Sequence, residues 1–180
     1  MLSVEEALDR VLARVPVNGF MNHSLPGREP RGVIEAFVSP PPGSQHSSFR
    51  FLATHLDLAE AERVAAVTRI GEIAAAEAQT MPMILAGDLN AVVGSVPIKR
   101  LLADWTLAQG SEPMLTSPAE SPRRQIDFIL VRPASRWRVI ESRVLGEAVA
   151  SDHRPIFAVL ELLPEAAAAE SPRKAPVRLH

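Results

Sequence analysis

The sequence predicts an α/β domain with mixed strand directions. Three observations carry that prediction. Several apolar runs have strand length, among them Met83-Ile84-Leu85-Ala86 and Ile129-Leu130-Val131. Between Thr54 and Met83 lies a long stretch with apolar residues at helical spacing. The early pair Val33–Val38 and Phe49–Thr54 flanks a Pro- and Gly-rich segment, which asks for a hairpin-like connection and argues against a purely parallel sheet.

Taken in order, Val4 to Val15 places Leu8, Val11, Leu12 and Val15 on one face and is a candidate helix. Val33–Val38 is the first predicted strand. Ser39–Ser48, with Pro40, Pro41, Pro42 and Gly43, is the turn that follows. Phe49–Thr54 is the second strand. A helix is predicted over Leu58–Ala78, with Asp57 and Glu60 as a capping box and Val64, Val67, Ile70, Ile73 and Ala74 as the apolar stripe. Met83–Ala86 is almost wholly apolar, as a strand covered on both faces is. A second helix is predicted over Pro97–Trp105, where a first-turn proline costs no intrahelical hydrogen bond. Ile126–Val131, Trp137–Val144 and Pro155–Leu163 are the remaining strands, the last opening on its proline. The domain is expected to occupy residues 1–163. Residues 164–180, rich in Ala, Pro and charge, are expected to form a disordered tail.

At 180 residues the chain is long enough for one domain with a sizeable core. A formal charge of -2 excludes a generally basic surface that would hold duplex DNA by charge alone. Without cysteine there is no disulfide framework, no thiolate nucleophile and no Cys-ligated zinc. No run reaches the roughly 18 apolar residues of a membrane helix. The acidic start Met1-Leu2-Ser3-Val4-Glu5-Glu6 lacks the order of a signal peptide, so a cytoplasmic location is expected.

Polar residues collect at the ends of the apolar strands: Thr54-His55-Leu56-Asp57, Gly87-Asp88-Leu89-Asn90, Gln125-Ile126-Asp127-Phe128 and Ser151-Asp152-His153-Arg154-Pro155. Singly, each has an ordinary structural explanation. Asp88 and Asn90 suit a turn, Asp57 a helix cap and His55 a satisfied core position. Asp127 differs, because a carboxylate within an apolar strand is costly unless paired. His153 is its natural partner, which leaves Asp152 free for a cation. Asp88, Asn90 and Asp152 offer the oxygen ligands that Mg²⁺ prefers. With two histidines nearby, the set suits metal-assisted hydrolysis of a phosphate ester.

These segments, together with Arg28-Glu29-Pro30-Arg31-Gly32 and Gly94-Ser95, resemble the endonuclease/exonuclease/phosphatase superfamily, the DNase I-like fold. The resemblance covers about Leu25 to Leu163. It implies an α/β/β/α sandwich and hydrolysis of phosphate esters with Mg²⁺ or Mn²⁺. It also implies roles: His153 as general base or phosphate-contacting acid, Asp127 as the carboxylate that orients it, and His55 on the scissile phosphate. Asp88 and Asn90 would position water and phosphate, and Asp152, with Asp88, would bind metal. Arg123, Arg124 and Arg154 are candidate phosphate contacts, or a solvated charge cluster.

Two family features have no match here: an upstream strand bearing Asn, and a Gln-Glu pair whose Glu binds metal. On that ground the chain resembles the family's C-terminal half only, and the expected sandwich is a truncated one with mainly the C-terminal sheet and its helices. Such a sheet would expose an apolar face, through which a homodimer is expected. The substrate would be a phosphodiester, with nucleic acid and phospholipid headgroup both open. Beside the metal-dependent hydrolase stand two other readings: a non-catalytic remnant without the metal Glu, and a scaffold or binding protein.

Overall fold

The computed structural model describes residues 17–40, 47–77 and 80–165. The expected helix over Val4–Val15, most of the Ser39–Ser48 turn and nearly all of the expected tail lie outside the described residues. The strands are β1 (Val17–Leu25), β2 (Arg31–Val38), β3 (Phe49–His55), β4 (Met83–Asp88), β5 (Thr106–Leu107), β6 (Asp127–Arg132), β7 (Trp137–Val144) and β8 (Ile156–Leu162). The helices are α1 (Glu60–Ala75) and α2 (Val96–Leu101).

Six strands form one sheet in the order β1-β2-β3-β4-β6-β5. The pair β3–β4 is parallel and its neighbours are antiparallel. A parallel pair needs a crossover, and α1 supplies it. The mixed directions expected from sequence are therefore present. A second, two-stranded sheet pairs β7 with β8.

Alternation along each strand sorts side chains between the two faces. Val33, Leu52, Leu85, Phe128 and Leu130 point to the helix side, where Val67, Ile70 and Ile73 of α1 and Ile98 and Leu101 of α2 close a continuous core. Ile84 and Val131 point the other way and pack with Trp137, against Phe49, Phe51, Leu160 and Leu162. The rings of Phe49 and Trp137 meet edge to face, with centroids 5.6 Å apart. The order is thus helices, large sheet, small sheet.

That layering corrects the expectation of mainly one sheet with its helices. Trp137 of β7 and Leu160 and Leu162 of β8 turn toward Ile84 and Val131, so β7 and β8 pair as a hairpin laid over them. β1 also adds an edge strand to the large sheet. The predicted helices are shorter than expected. α1 begins at Glu60 after a cap at Ala59, whose side chain makes no cap bond. Asp57 Oδ1 instead accepts the Ala59 amide at 2.8 Å, so Asp57 closes a local turn and the capping box does not form. Among the described residues, no helix is long and apolar enough to cross a membrane.

Candidate active site

Strand register assembles the site. His55 lies opposite Asp88 across β3–β4, and Asp88 lies opposite Asp127 across β4–β6. The three residues form one row over three adjacent strands. They share the face of Ile84 and Ile129, away from the helices, because all fall on the same alternation. Apolar residues earlier in β3 and β4, and later in the antiparallel β6, anchor the row, and the polar residues come where the strands reach the sheet end.

Gly87 makes the row possible. Its φ is +149°, and a Cβ added there would lie 1.8 Å from the Thr54 carbonyl oxygen. Only glycine lets β3 and β4 approach this closely beside His55 and Asp88. Asn90 follows with φ +48°, a left-handed conformation that asparagine tolerates. Its amide donates to Asp88 Oδ1 at 2.8 Å, and its side-chain Nδ2 donates to the Leu56 carbonyl at 2.8 Å. The two residues are thereby fixed to each other and to the end of β3.

His153 reaches the row from the loop between β7 and β8. Its Nδ1 lies 3.0 Å from Asp127 Oδ2 and 3.8 Å from Asp88 Oδ2. The loop is stitched to the long irregular segment before β6. The Ala119 amide donates to the Asp152 carbonyl at 2.7 Å, and the Arg154 amide donates to the Thr116 carbonyl at 2.9 Å. The Arg154 guanidinium donates to the Ala119 carbonyl at 2.6 Å. Arg154 is therefore a brace holding His153 in place, and that bond does not leave its Nε for a phosphate. Arg124 donates to the Ser117 hydroxyl within the same segment.

The residues given catalytic or metal roles from sequence, His55, Asp88, Asn90, Asp127, Asp152 and His153, line one cleft of about 500 Å³, whereas the candidate phosphate contacts Arg123, Arg124 and Arg154 do not. Asp88, Asp127 and His153 place ligand atoms within 4.8 Å of one another, a cluster able to coordinate a divalent metal. Asp152 is exposed on the same cleft and stands outside that tight cluster, its Oδ1 accepting from the Ser151 hydroxyl at 3.4 Å. A larger, mainly apolar cleft of about 570 Å³ opens between the sheets beside it and shares Asp127, Ser151 and His153 as walls.

Two contributors were not singled out as site residues by sequence. Thr116 donates its hydroxyl to Asp127 Oδ2 at 2.5 Å. Arg31 donates to His55 Nδ1 at 3.1 Å and to Glu29 Oε2 at 2.7 Å. Arg31 stood within a family-like segment, but its only local signal was a cation at the start of a strand. Thr116 had none, lying in the irregular stretch before β6.

A model of the Endonuclease/Exonuclease/phosphatase family matches residues 11–153. The chain belongs to that family. The match contains the whole row and His153, and it does not single out a C-terminal half. The expectation of a C-terminal half is corrected accordingly: it weighed two missing motifs above the sheet, whose strands β1 to β6 all fall inside the match. Solved structures agree in fold. A functionally unknown conserved protein from Enterococcus faecalis V583 is 21% identical, with a TM-score of 0.72 over 83% of this chain and 68% of that one. A mannosyl-6-phosphatase from Bacteroides thetaiotaomicron is 16% identical, with a TM-score of 0.70 over 83% and 68%. The human Nocturnin catalytic domain is 17% identical, with a TM-score of 0.65 over 84% and 61%. At such identities the likeness concerns the fold. None of the curated proteins compared matches the chain.

Proposed function

We propose that this family member is a divalent-metal-dependent phosphoesterase acting on a phosphodiester. The observation that carries the reading is the row His55–Asp88–Asp127 with His153 set against it. Family membership supports the hydrolase class, and the mannosyl-6-phosphatase and Nocturnin structures share the fold.

The donor set suits a hard cation. Two carboxylates and one imidazole converge, and carboxylate oxygens favour Mg²⁺ or Mn²⁺. Asp88 is the best placed of them. Asp127 Oδ2 already accepts from Thr116 and faces His153 Nδ1, whereas Asp88 Oδ2 has histidines at 3.4 and 3.8 Å. We therefore assign metal holding first to Asp88, with Asp152 adding charge from the cleft wall. Once bound, the cation would stabilise negative charge developing on the phosphoryl oxygens.

The rest falls to the chain's own side chains. Asp127 accepts the Nδ1 proton of His153, which fixes the ring and leaves Nε2 as the acceptor. That nitrogen takes the proton of the attacking water as the water oxygen bonds to phosphorus and the ester oxygen departs with the electron pair. Thr116 holds Asp127 through a second bond to the same oxygen. Asn90 is locked by the Leu56 carbonyl and positions phosphate beside His55. The apolar cleft between the sheets leaves room for the remainder of a substrate.

Hydrolysis of bis(p-nitrophenyl) phosphate tests the reading. Turnover is expected with millimolar Mg²⁺ or Mn²⁺ and is expected to vanish in EDTA. His153→Ala is expected to lower the rate by about 10²–10⁴-fold, the usual worth of a positioned proton acceptor, and Asp88→Ala to raise the metal concentration needed. Equal rates in the native chain and both variants, or no rate at any metal concentration, would reject it.

A further inference from the structure

The two site histidines sit in opposite electrostatic settings. His153 presents Nδ1 to a carboxylate oxygen at 3.0 Å, so that nitrogen carries the proton. His55 presents Nδ1 to the guanidinium of Arg31 at 3.1 Å. Arginine has donors only and is always charged, so a proton on His55 Nδ1 would set two N–H groups against each other. Nδ1 must therefore hold a lone pair.

The surroundings of His55 Nε2 complete the assignment. Asp88 Oδ2, an acceptor, lies 3.4 Å away. The Asn90 side-chain amide lies 3.1 Å away and is a donor, since it serves the Leu56 carbonyl. A neutral imidazole has one N–H, so its two nitrogens cannot both accept. The permanent cation at Nδ1 decides the choice and leaves Nε2–H facing Asp88. Arg31 is itself anchored. Its side chain is 18% exposed and paired to Glu29 Oε2 at 2.7 Å.

We infer that Arg31 is a positioning residue that fixes His55 as the Nε2–H tautomer, so that His55 serves the site as a hydrogen-bond donor while His153 serves as the acceptor. Its kinetic consequence rests on the phosphoesterase reading: His55 would donate to a phosphoryl or leaving-group oxygen, and the water proton would go to His153. The tautomer itself needs no substrate.

The experiment is a two-bond ¹H–¹⁵N correlation spectrum of the full, metal-free chain, in buffer where imidazole is neutral. The native chain is expected to show His55 with the Nε2–H pattern and His153 with the Nδ1–H pattern. Arg31→Lys keeps a cationic donor and is expected to keep the His55 pattern. Arg31→Met removes every donor and is expected to move His55 toward Nδ1–H or a mixture, with His153 unchanged as the internal control. With bis(p-nitrophenyl) phosphate, Arg31→Met is expected to lower kcat by about 10-fold with little change in KM. That is less than the 10²–10³-fold typical of deleting a donor outright, and Arg31→Lys should restore most of it. An Nδ1–H pattern for His55 in the native chain overturns the inference whether or not Arg31→Met folds. So does an unchanged His55 in folded Arg31→Met. Absence of activity in a native chain with the expected spectrum would instead count against the phosphoesterase reading alone.

Discussion

The two faces of the six-stranded sheet are built for different purposes. On the helix face, Val33, Leu52, Leu85 and Leu130 are fully buried beneath α1 and α2. On the opposite face, the small sheet covers Ile84 and Val131, while Ile34 is 53% and Phe20 75% exposed. The row of His55, Asp88 and Asp127 lies on this second, open face. A carboxylate pair placed on the closed face would need full compensation for lost hydration. At the open end of the sheet, water and a cation can reach the same groups. Stability and chemistry are thereby separated across one layer of backbone.

The largest expected effect breaks both faces at once. Gly87→Ala would drive a Cβ to within 1.8 Å of the Thr54 carbonyl oxygen, so β3 and β4 would have to part. A loss of at least about 4 kcal/mol is expected, in the range that marks a disrupted core or backbone. Urea titration followed by circular dichroism measures it. A variant of native stability would mean that the strands separate here without cost.

Truncating the closed face comes next. Leu85→Ala, at a site with no exposure, is expected to cost about 2–5 kcal/mol. The midpoint of denaturant unfolding should fall while the rate per folded molecule stays within about twofold. A selective loss of activity with unchanged stability would show that the faces are coupled. The complementary test is Asp127→Asn, which keeps one oxygen for Thr116 and removes the charge facing His153. Activity should fall by about 100-fold or more, with stability altered by less than about 1 kcal/mol.

The exposed part of the open face should be nearly silent. Phe20→Ser and Ile34→Ser are each expected within about 0.5 kcal/mol of the native chain, as for surface positions generally. A larger loss that grows as the protein is diluted would show instead that a second copy covers this face, the homodimer expected from sequence. Sedimentation of the native chain over a range of concentrations reads the same alternative directly.

What the sequence made legible follows the same division. β3, β4, β6 and β8 carry enough apolar residues to be found by composition alone, and the polar residues at their ends marked the site. β1 was invisible. Val17–Leu25 mixes Asn18, Gly19, Asn22, His23 and Ser24 with apolar residues, and as an edge strand its side chains are mostly exposed on both faces. Its ladder bonds to β2 make it a strand, and backbone pairing leaves no compositional trace. Asp127 and His153 could be paired from sequence because a charge inside an apolar run demands a partner. Arg31 could not, because nothing local distinguishes a cation that meets a histidine from one that meets water.

The smallest effect is expected where the two faces join, at Asp57 in the turn from β3 to α1. The Ala59 amide at 2.8 Å holds this carboxyl below its ordinary value of 3.8. Burial opposes the shift, while the Glu29 amide, the charge of Arg31 and the Leu58 amide add to it. In the unfolded chain these donors are lost and the carboxyl binds its proton more readily. The unfolded state therefore takes up more protons through the interval between the two values, and stability rises with pH there. The contribution is complete above the unfolded value and disappears as pH falls through the lower, folded one. Asp57→Asn retains an oxygen for the Ala59 amide and removes the titration. Its stability should follow a flatter curve than the native chain below about pH 4, with the two curves parallel near neutrality. Denaturant midpoints at a series of acid pH values measure the slopes. Equal slopes would mean that Asp57 keeps its donors, or an equivalent set, in the unfolded chain. A difference confined to neutral pH would point to Arg31, which loses a neighbouring negative charge in this variant, and would carry the disturbance to His55 on the other face.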